Sequence, residues 1–297
     1  MNPAGQLDIR AAYRDGGLRD IAVDLRRPPV SRLFVGQAPE VVVKTVPYLY
    51  SLCSEAQRAA AQAALAVAGD GVPRPVNAAA LWTEVLHETL WRLLLDWPAA
   101  LGLPPARAEF AAWRAERQGD CAAATRRLLD GRVAQLAADC LAALDVDDAA
   151  ESSAPIPDPA AWLPWWRGDA AEPPAPAAPG SIAGALRGRL ALLDTAAQAL
   201  ADGRAFPVAV AGGGGLGVAQ AATARGVLTH AVRVADGRVT DYRVLAPTDA
   251  FFRDASGLSG LLAGVAAATR DAARRRLEQA VLALDPCLPY QLEINDA

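Results

Sequence analysis

The sequence predicts an α+β protein that is mainly α, a helical bundle carrying small antiparallel β hairpins. Three observations predict it. Long Ala- and Leu-rich stretches place apolar residues at helical spacing, two other stretches alternate apolar and polar residues around an Asp-Gly turn, and Pro or Gly marks the joints.

Residues LDIRAAYRDGGLRDIAVDL alternate on both sides of Asp15-Gly16-Gly17, the pattern of two short strands joined by a tight turn. Pro28 and Pro29 end this hairpin, and a helical pattern runs from Pro39 to about Leu49, leading into Cys53. From Ser54 to Ala68, SEAQRAAAQAALAVA carries an apolar stripe at helical spacing, opened by Ser54 as N-cap. Asn77 to Asp96 and Pro105 to Leu144 give further long helical patterns with interruptions at Gly and Pro, so the middle reads as a helix bundle. Residues 151–179, dense in Pro and Ala, read as a loop or linker within a single domain spanning 1–297. Trp162, Trp165 and Trp166 lie in that stretch, either as a docking patch or folded back on the body. Ser181 to Asp202 is helical again. The short apolar strand FPVAVAG follows, and a second hairpin, RGVLTHAVRVADGRVTDYRVLAP, turns at Asp236-Gly237. Leu258 to Leu284 reads as a last long helix, broken at Asp285 by Pro286, which leaves Cys287 on a turn.

With 297 residues, 53% of them hydrophobic, the chain can bury a substantial core. A net charge of −4 provides no basic field for nucleic acid or an anionic membrane surface, and neither is expected as a partner. No leader pattern and no spanning apolar stretch stand out, so the expected location is cytoplasmic. Four scattered cysteines make no disulfide framework there, and two histidines make an imidazole metal site hard to build, so sulfur is the expected ligand if a metal binds.

Cys53 lies at a helix N-terminus, where unpaired backbone N–H groups favour the anion and are expected to lower its pKa. Cys121 and Cys140 lie on apolar helix faces and read as core. His87 stands between acids on a helix and reads as a surface or capping hydrogen bonder. His230, in the second hairpin, is assigned to strand packing ahead of a structural role near a site. Gly212 to Gly217 has no GK[ST] and no following dinucleotide fingerprint, so it reads as backbone that turns sharply or approaches a neighbour closely.

Two segments carry a resemblance to a known family. DPCLPYQL, from Asp285, is similar to the DPCxxCxxH that ends [NiFe]-hydrogenase large subunits. RGVLTHAVRVADGRVTDYRVLAPTDAFF resembles that family's segment in which Arg-Gly starts a hairpin with an Asp-Gly turn and closes in a Pro-Thr or Pro-Ser pair, here Pro247-Thr248. The family's RxCGxC followed by His corresponds to residues 48–57, where only the second cysteine, Cys53, is kept. Tyr50 stands at the first cysteine, Gln57 at the histidine, Tyr290 at the last cysteine of the C-terminal motif, and Ala4 where the family has Glu. The chain resembles a truncated [NiFe]-hydrogenase large subunit, of the kind that acts as a maturation and assembly scaffold.

That resemblance implies a large-subunit-like helical bundle in which the chain ends meet at the site. It implies Cys53 and Cys287 as metal ligands, within about 4 Å of each other if each bond to one iron is near the 2.3 Å of a metal–thiolate bond. It implies Arg225 and Thr248, with Pro247, as the residues around the cyanides of an Fe(CN)2(CO) fragment, held transiently. In the enzymes the iron sits on two bridging cysteines; here one bridging position, Cys53, and one terminal position, Cys287, remain. Nickel, which takes four thiolates in this family, is not expected. The implied partners are the maturation proteins that build and carry the iron fragment, and the hydrogenase large-subunit precursor. Beside this non-catalytic scaffold stand two other readings: a metal-free adaptor that mimics the large subunit, and a degenerate enzyme, which would need a nickel site and an iron–sulfur route that the sequence lacks.

Overall fold

A computed structural model describes residues 5–144 and 158–296. Asp15 and Gly16 both take positive φ (49° and 71°), the backbone that a two-residue turn needs to match strand twist, and they join β1 (Gln6–Arg14) to β2 (Gly17–Arg26). A 3-10 turn at Val30–Phe34 leads to α1 (Pro39–Leu49), with proline at its first position, and a second at Ser51–Cys53 leads to α2 (Ser54–Ala68). These helix limits coincide with those read from the sequence. The cap differs: Cys53 is the capping residue of α2 and its side chain makes no capping bond.

The bundle follows in shorter pieces than the two long patterns suggested. The first comprises α3 (Ala78–Trp91), a π-helical turn at Arg92–Asp96 and α4 (Trp97–Ala100). Pro98 has no N–H for the carbonyl of Leu94, and the N–H of Ala106 takes that carbonyl instead at 2.8 Å. The second comprises α5 (Arg107–Glu116), α6 (Cys121–Leu128), a π turn at Leu129–Val133 and α7 (Ala134–Leu144). Leu86, Leu90, Leu94 and Trp97 are fully buried, and each of these leucines stabilises the fold by about 1.5–3 kcal/mol.

The Pro-rich stretch contains packed structure. A 3-10 turn at Pro159–Trp162 continues into α8 (Leu163–Arg167), where Trp162 and Trp166 are buried against the second sheet. The Trp166 indole donates to the carbonyl of Val232 at 2.8 Å, so these tryptophans fold back on the body. The start of that stretch, 151–157, and Ala4 lie outside the described residues.

After α9 (Ile182–Ala201) come β3 (Val208–Gly213), β4 (Leu216–Thr223), β5 (Gly226–Ala235) and β6 (Arg238–Leu245), an antiparallel sheet in chain order. Sequence reading missed β4 because AQAAT has no alternation: both of its faces are covered. The glycine run is the β3–β4 hairpin turn. The expected last helix is two, α10 (Ser256–Leu262) and α11 (Arg270–Leu284), parted where Gly264 turns to φ 72°. A final strand, β7 (Tyr290–Asp296), also unforeseen, pairs with β1 in parallel, giving a mixed sheet ordered β2-β1-β7.

α2 is the hinge of this arrangement, packing between α1 and the second sheet through Ala61, Ala63 and Ala64. Alanine lets backbones come close. A Cβ added at Gly217 of β4 would stand 2.0 Å from the carbonyl oxygen of Ala64, so no side chain fits there. Gly217→Ala is therefore expected to lower stability by about 1–3 kcal/mol in urea unfolding. Gly188→Ala, in α9 where an added Cβ meets nothing, is expected to raise it by about 0.5–1 kcal/mol.

Candidate functional site

Pairing of β1 with β7 holds the C-terminal cysteine motif against the first strand, and the N–H of Leu7 donates to the carbonyl of Pro289 at 3.0 Å, two residues beyond Cys287. Upstream of Cys287, α11 ends at Asp285. Pro286 disfavours the helical region for the residue before it, and Asp285 turns left-handed, φ 49°, a conformation that short polar side chains tolerate.

The Asp285 carboxylate is buried among three guanidiniums. Nε of Arg92 and Nε of Arg225 donate to one oxygen at 2.7 and 3.2 Å, and Nη1 of Arg189 stands 2.8 Å from the other as a charge contact without hydrogen-bond alignment. Burial pushes the carboxyl up, but the arginines outweigh it and hold it at about 2. Arg225 also donates to Glu88 at 3.0 Å, Arg92 pairs with Asp96, and Arg92 reaches the carbonyl of Pro286. Three arginines thus face three carboxylates, the condition under which buried charge is tolerated.

Cys287 lies beside this cluster and accepts from Nη2 of Arg27 at 2.7 Å and from the Thr248 hydroxyl at 3.5 Å. Arg27 is held by Asp249, with Nε donating at 2.8 Å. The buried Thr248 hydroxyl is thus aimed at sulfur. Pro247 packs on Gly226, where a Cβ would meet the proline ring at 3.1 Å, and this fixes the hairpin's entry next to Arg225.

Cys53 is half-buried, and its thiol is not acidified. Burial, then the charges of Cys287 and Glu84, push it up to about 12 against the opposing pull of Gln57 and Arg225. The helix N-terminus gives no help because Glu84 occupies it, accepting from the N–H groups of Glu55 at 2.8 Å and Ala56 at 3.0 Å. Cys287 lies near enough for its charge to act on the Cys53 thiol. Gln57 is buried and donates to the Cys53 sulfur at 3.6 Å, while its carbonyl lies 2.8 Å from Nε2 of the fully buried His230; Nδ1 of that ring lies 2.7 Å from the Tyr242 hydroxyl. His230 therefore does more than pack a strand. Burial lowers its pKa to about 3, so the ring is neutral.

Tyr50 and Tyr290 are held as phenols, burial pushing both up to about 12; Arg27 pulls the first down and Arg92 the second, each too weakly to prevail. Among the described residues no group of three or more His, Cys, Asp or Glu is placed to hold a metal ion. Cys140 is buried core, and Cys121 is half-buried with Thr83 at 3.7 Å. His87 bonds Glu88 at 3.0 Å and stacks on Trp113. A cavity of about 880 Å³ opens beside the site, and its lining includes Arg189, Arg225 and Pro247 together with Trp162, Pro173 and Pro176.

Sequence reasoning missed Arg27, Glu84, Glu88, Arg92 and Arg189. The available signal was in α3, where acids stand at 84 and 88, one turn apart, on a helix otherwise buried through Leu, Val and Trp.

The fold is that of [NiFe]-hydrogenase large subunits. Solved neighbours include the Ni-Fe-Se hydrogenase of D. vulgaris Hildenborough in the reduced state (TM-score 0.62, 12% identity, 93% of this chain and 94% of that one). Its G491S variant matches at TM-score 0.61 and 11% identity, over 96% and 98%. Within that class, the chain belongs to the HupK family of hydrogenase expression/formation proteins. It is 32% identical to HupK of Azotobacter vinelandii over 99% of this chain and all of that one, and 33% identical, with the same coverage, to the hydrogenase expression/formation protein HupV of Azotobacter chroococcum mcd 1. HupK of Rhizobium leguminosarum bv. viciae is 29% identical over 99% and 98%. No protein-family model matches the chain. No helix among the described residues is long and apolar enough to cross a membrane.

Replacing Asp285 with Ala strands three arginines beside only two carboxylates and is expected to cost about 3–5 kcal/mol in urea unfolding. His230 gives a pH signature. Its folded pKa of about 3 lies below the unfolded value of about 6.5, so its contribution is complete above pH 6.5 and falls as pH drops, by about 1.4 kcal/mol per unit. Stability measured from pH 7 to pH 4 should show this slope in the native protein and lack that one-proton part in His230→Gln.

Proposed function

We propose that the protein is a non-catalytic scaffold in [NiFe]-hydrogenase maturation, holding the Fe(CN)2(CO) fragment on the Cys53 and Cys287 thiolates before transfer to the large subunit. The observation that carries this reading is the selective survival of the site. In a large-subunit fold, Cys287 receives Arg27 and Thr248 and Cys53 receives Gln57 as hydrogen-bond donors, while protonated tyrosines stand where the resemblance puts the two other cysteines.

The iron fragment is cargo, and the residues suit it. A low-spin iron bearing cyanide and carbonyl prefers thiolates, and two of them give a firm yet exchangeable seat. Cyanide nitrogen is an anionic acceptor. Arg225 spends two of its five N–H groups on Asp285 and Glu88, which leaves others for such a ligand, and each charge-assisted bond is worth roughly 1.5–3 kcal/mol. Thr248 and Pro247 complete this side, the hydroxyl serving the Cys287 sulfur as well. Nickel does not fit, since neutral phenols replace two thiolates, and hydrogen turnover does not follow without it.

The relatives are named hydrogenase expression/formation proteins, which supports maturation as the setting. The partners are then the proteins that build and carry the iron fragment, and the large-subunit precursor that receives it. Apolar surface suited to such contacts is exposed at Val41, Tyr48 and Leu52, along α1 and the turn bearing Cys53.

Anaerobic co-expression with the cofactor-building machinery, followed by infrared spectroscopy, tests the proposal. Two cyanide stretches and one carbonyl stretch are expected, and Cys53→Ala or Cys287→Ala should abolish them. A blank spectrum from protein that still binds its maturation partners would replace the scaffold by a metal-free adaptor that mimics the large subunit.

A further inference from the structure

The hydrogen bonds behind Cys53 form a directed chain, and its direction is set at the end furthest from the sulfur. Tyr242 on β6 is fully buried, its ring held edge-on to His230 and against Phe34 at 4.9 Å between centroids. Its hydroxyl has one described partner, Nδ1 of His230 at 2.7 Å. A buried hydroxyl hydrogen left without an acceptor costs about 1–3 kcal/mol, so the phenol donates and Nδ1 accepts. A neutral imidazole whose Nδ1 accepts carries its proton on Nε2, and Nε2 faces the Gln57 carbonyl oxygen at 2.8 Å. That leaves the Gln57 amide one orientation, with NH2 toward the Cys53 sulfur.

We infer that His230 is a positioning residue that locks the Gln57 amide with its N–H groups toward Cys53, so that the site offers this sulfur a hydrogen-bond donor and never an acceptor. A donor stabilises a thiolate, free or metal-bound; an amide oxygen in the same place would favour a thiol. The lock selects an anionic sulfur ligand without placing a cation next to it, which a histidine at position 57 could not do when protonated. The identity of the metal fragment rests on the scaffold reading, but the direction of the chain does not.

The test begins on the whole, unloaded protein. With two histidines in the chain, a long-range proton–nitrogen correlation spectrum of nitrogen-labelled protein, with His87→Gln for assignment, reports the tautomer of His230 directly. A protonated Nε2 and bare Nδ1 are expected. A proton on Nδ1 would turn the Gln57 carbonyl toward the sulfur and overturn the inference, whatever the protein binds. The second arm uses Gln57→Glu, which keeps an oxygen for His230 and exchanges the amide nitrogen for another oxygen. In protein loaded with the iron fragment, loss of the donor makes the sulfur more electron-releasing, so the carbonyl stretch should move to lower frequency. An unchanged stretch in a fully loaded Gln57→Glu protein would also sink the inference, whereas wild type that fails to load at all counts against the scaffold reading and leaves the tautomer result to decide the lock.

Discussion

The site depends on one buried carboxylate. Asp285 gathers Arg92 from the bundle, Arg189 from α9 and Arg225 from the turn before β5, so three separate parts of the chain are drawn to the residue that precedes the Pro-Cys turn. None of these arginines could be buried alone, because an unpaired charge in a low-dielectric interior is worth many kcal/mol of penalty. The cluster thus acts less as a source of net stability than as a device of registry. Helix α3, helix α9 and the second sheet find partners for their charges in one mutual arrangement, and that arrangement sets Cys287 on its turn.

Around the sulfurs the same economy appears with neutral and charged donors. Cys287 receives a guanidinium and a hydroxyl, while Cys53 receives an amide. The two cysteines are therefore unequal: one stands in a cationic setting beside Arg27, the other in a dry setting where its proton is hard to remove. Glu84 explains much of the difference. By capping α2 with its carboxylate it removes the electropositive helix end that would otherwise have served Cys53.

How much of this was legible beforehand varies with the kind of signal. The hairpins announced themselves through Asp-Gly pairs, since two successive positive-φ residues admit few alternatives, and α1 and α2 through their flanking prolines and apolar stripes. The strands β4 and β7 stayed hidden because one is covered on both faces and the other finds its partner nearly the whole chain away at β1, which no local window registers. For the same reason Arg92 and Arg189 were invisible: they share nothing in sequence with Arg225, which the hairpin motif had marked, and only Asp285 makes the three a group. The direction of the thiol shift was misjudged because a helix end was visible in the sequence and the acid capping it, thirty residues on, was not.

The parallel pairing of β1 with β7 has a consequence in time. Of the described strands β1 is synthesised first and β7 last, so the edge of β1 that receives Tyr290–Asp296 stays unpaired until those residues leave the ribosome. The turn that carries Cys287 can therefore settle against β1 only once Tyr290–Asp296 have been made. Closure of the first sheet is thus a late event beside that of the second, whose four strands are neighbours in the chain.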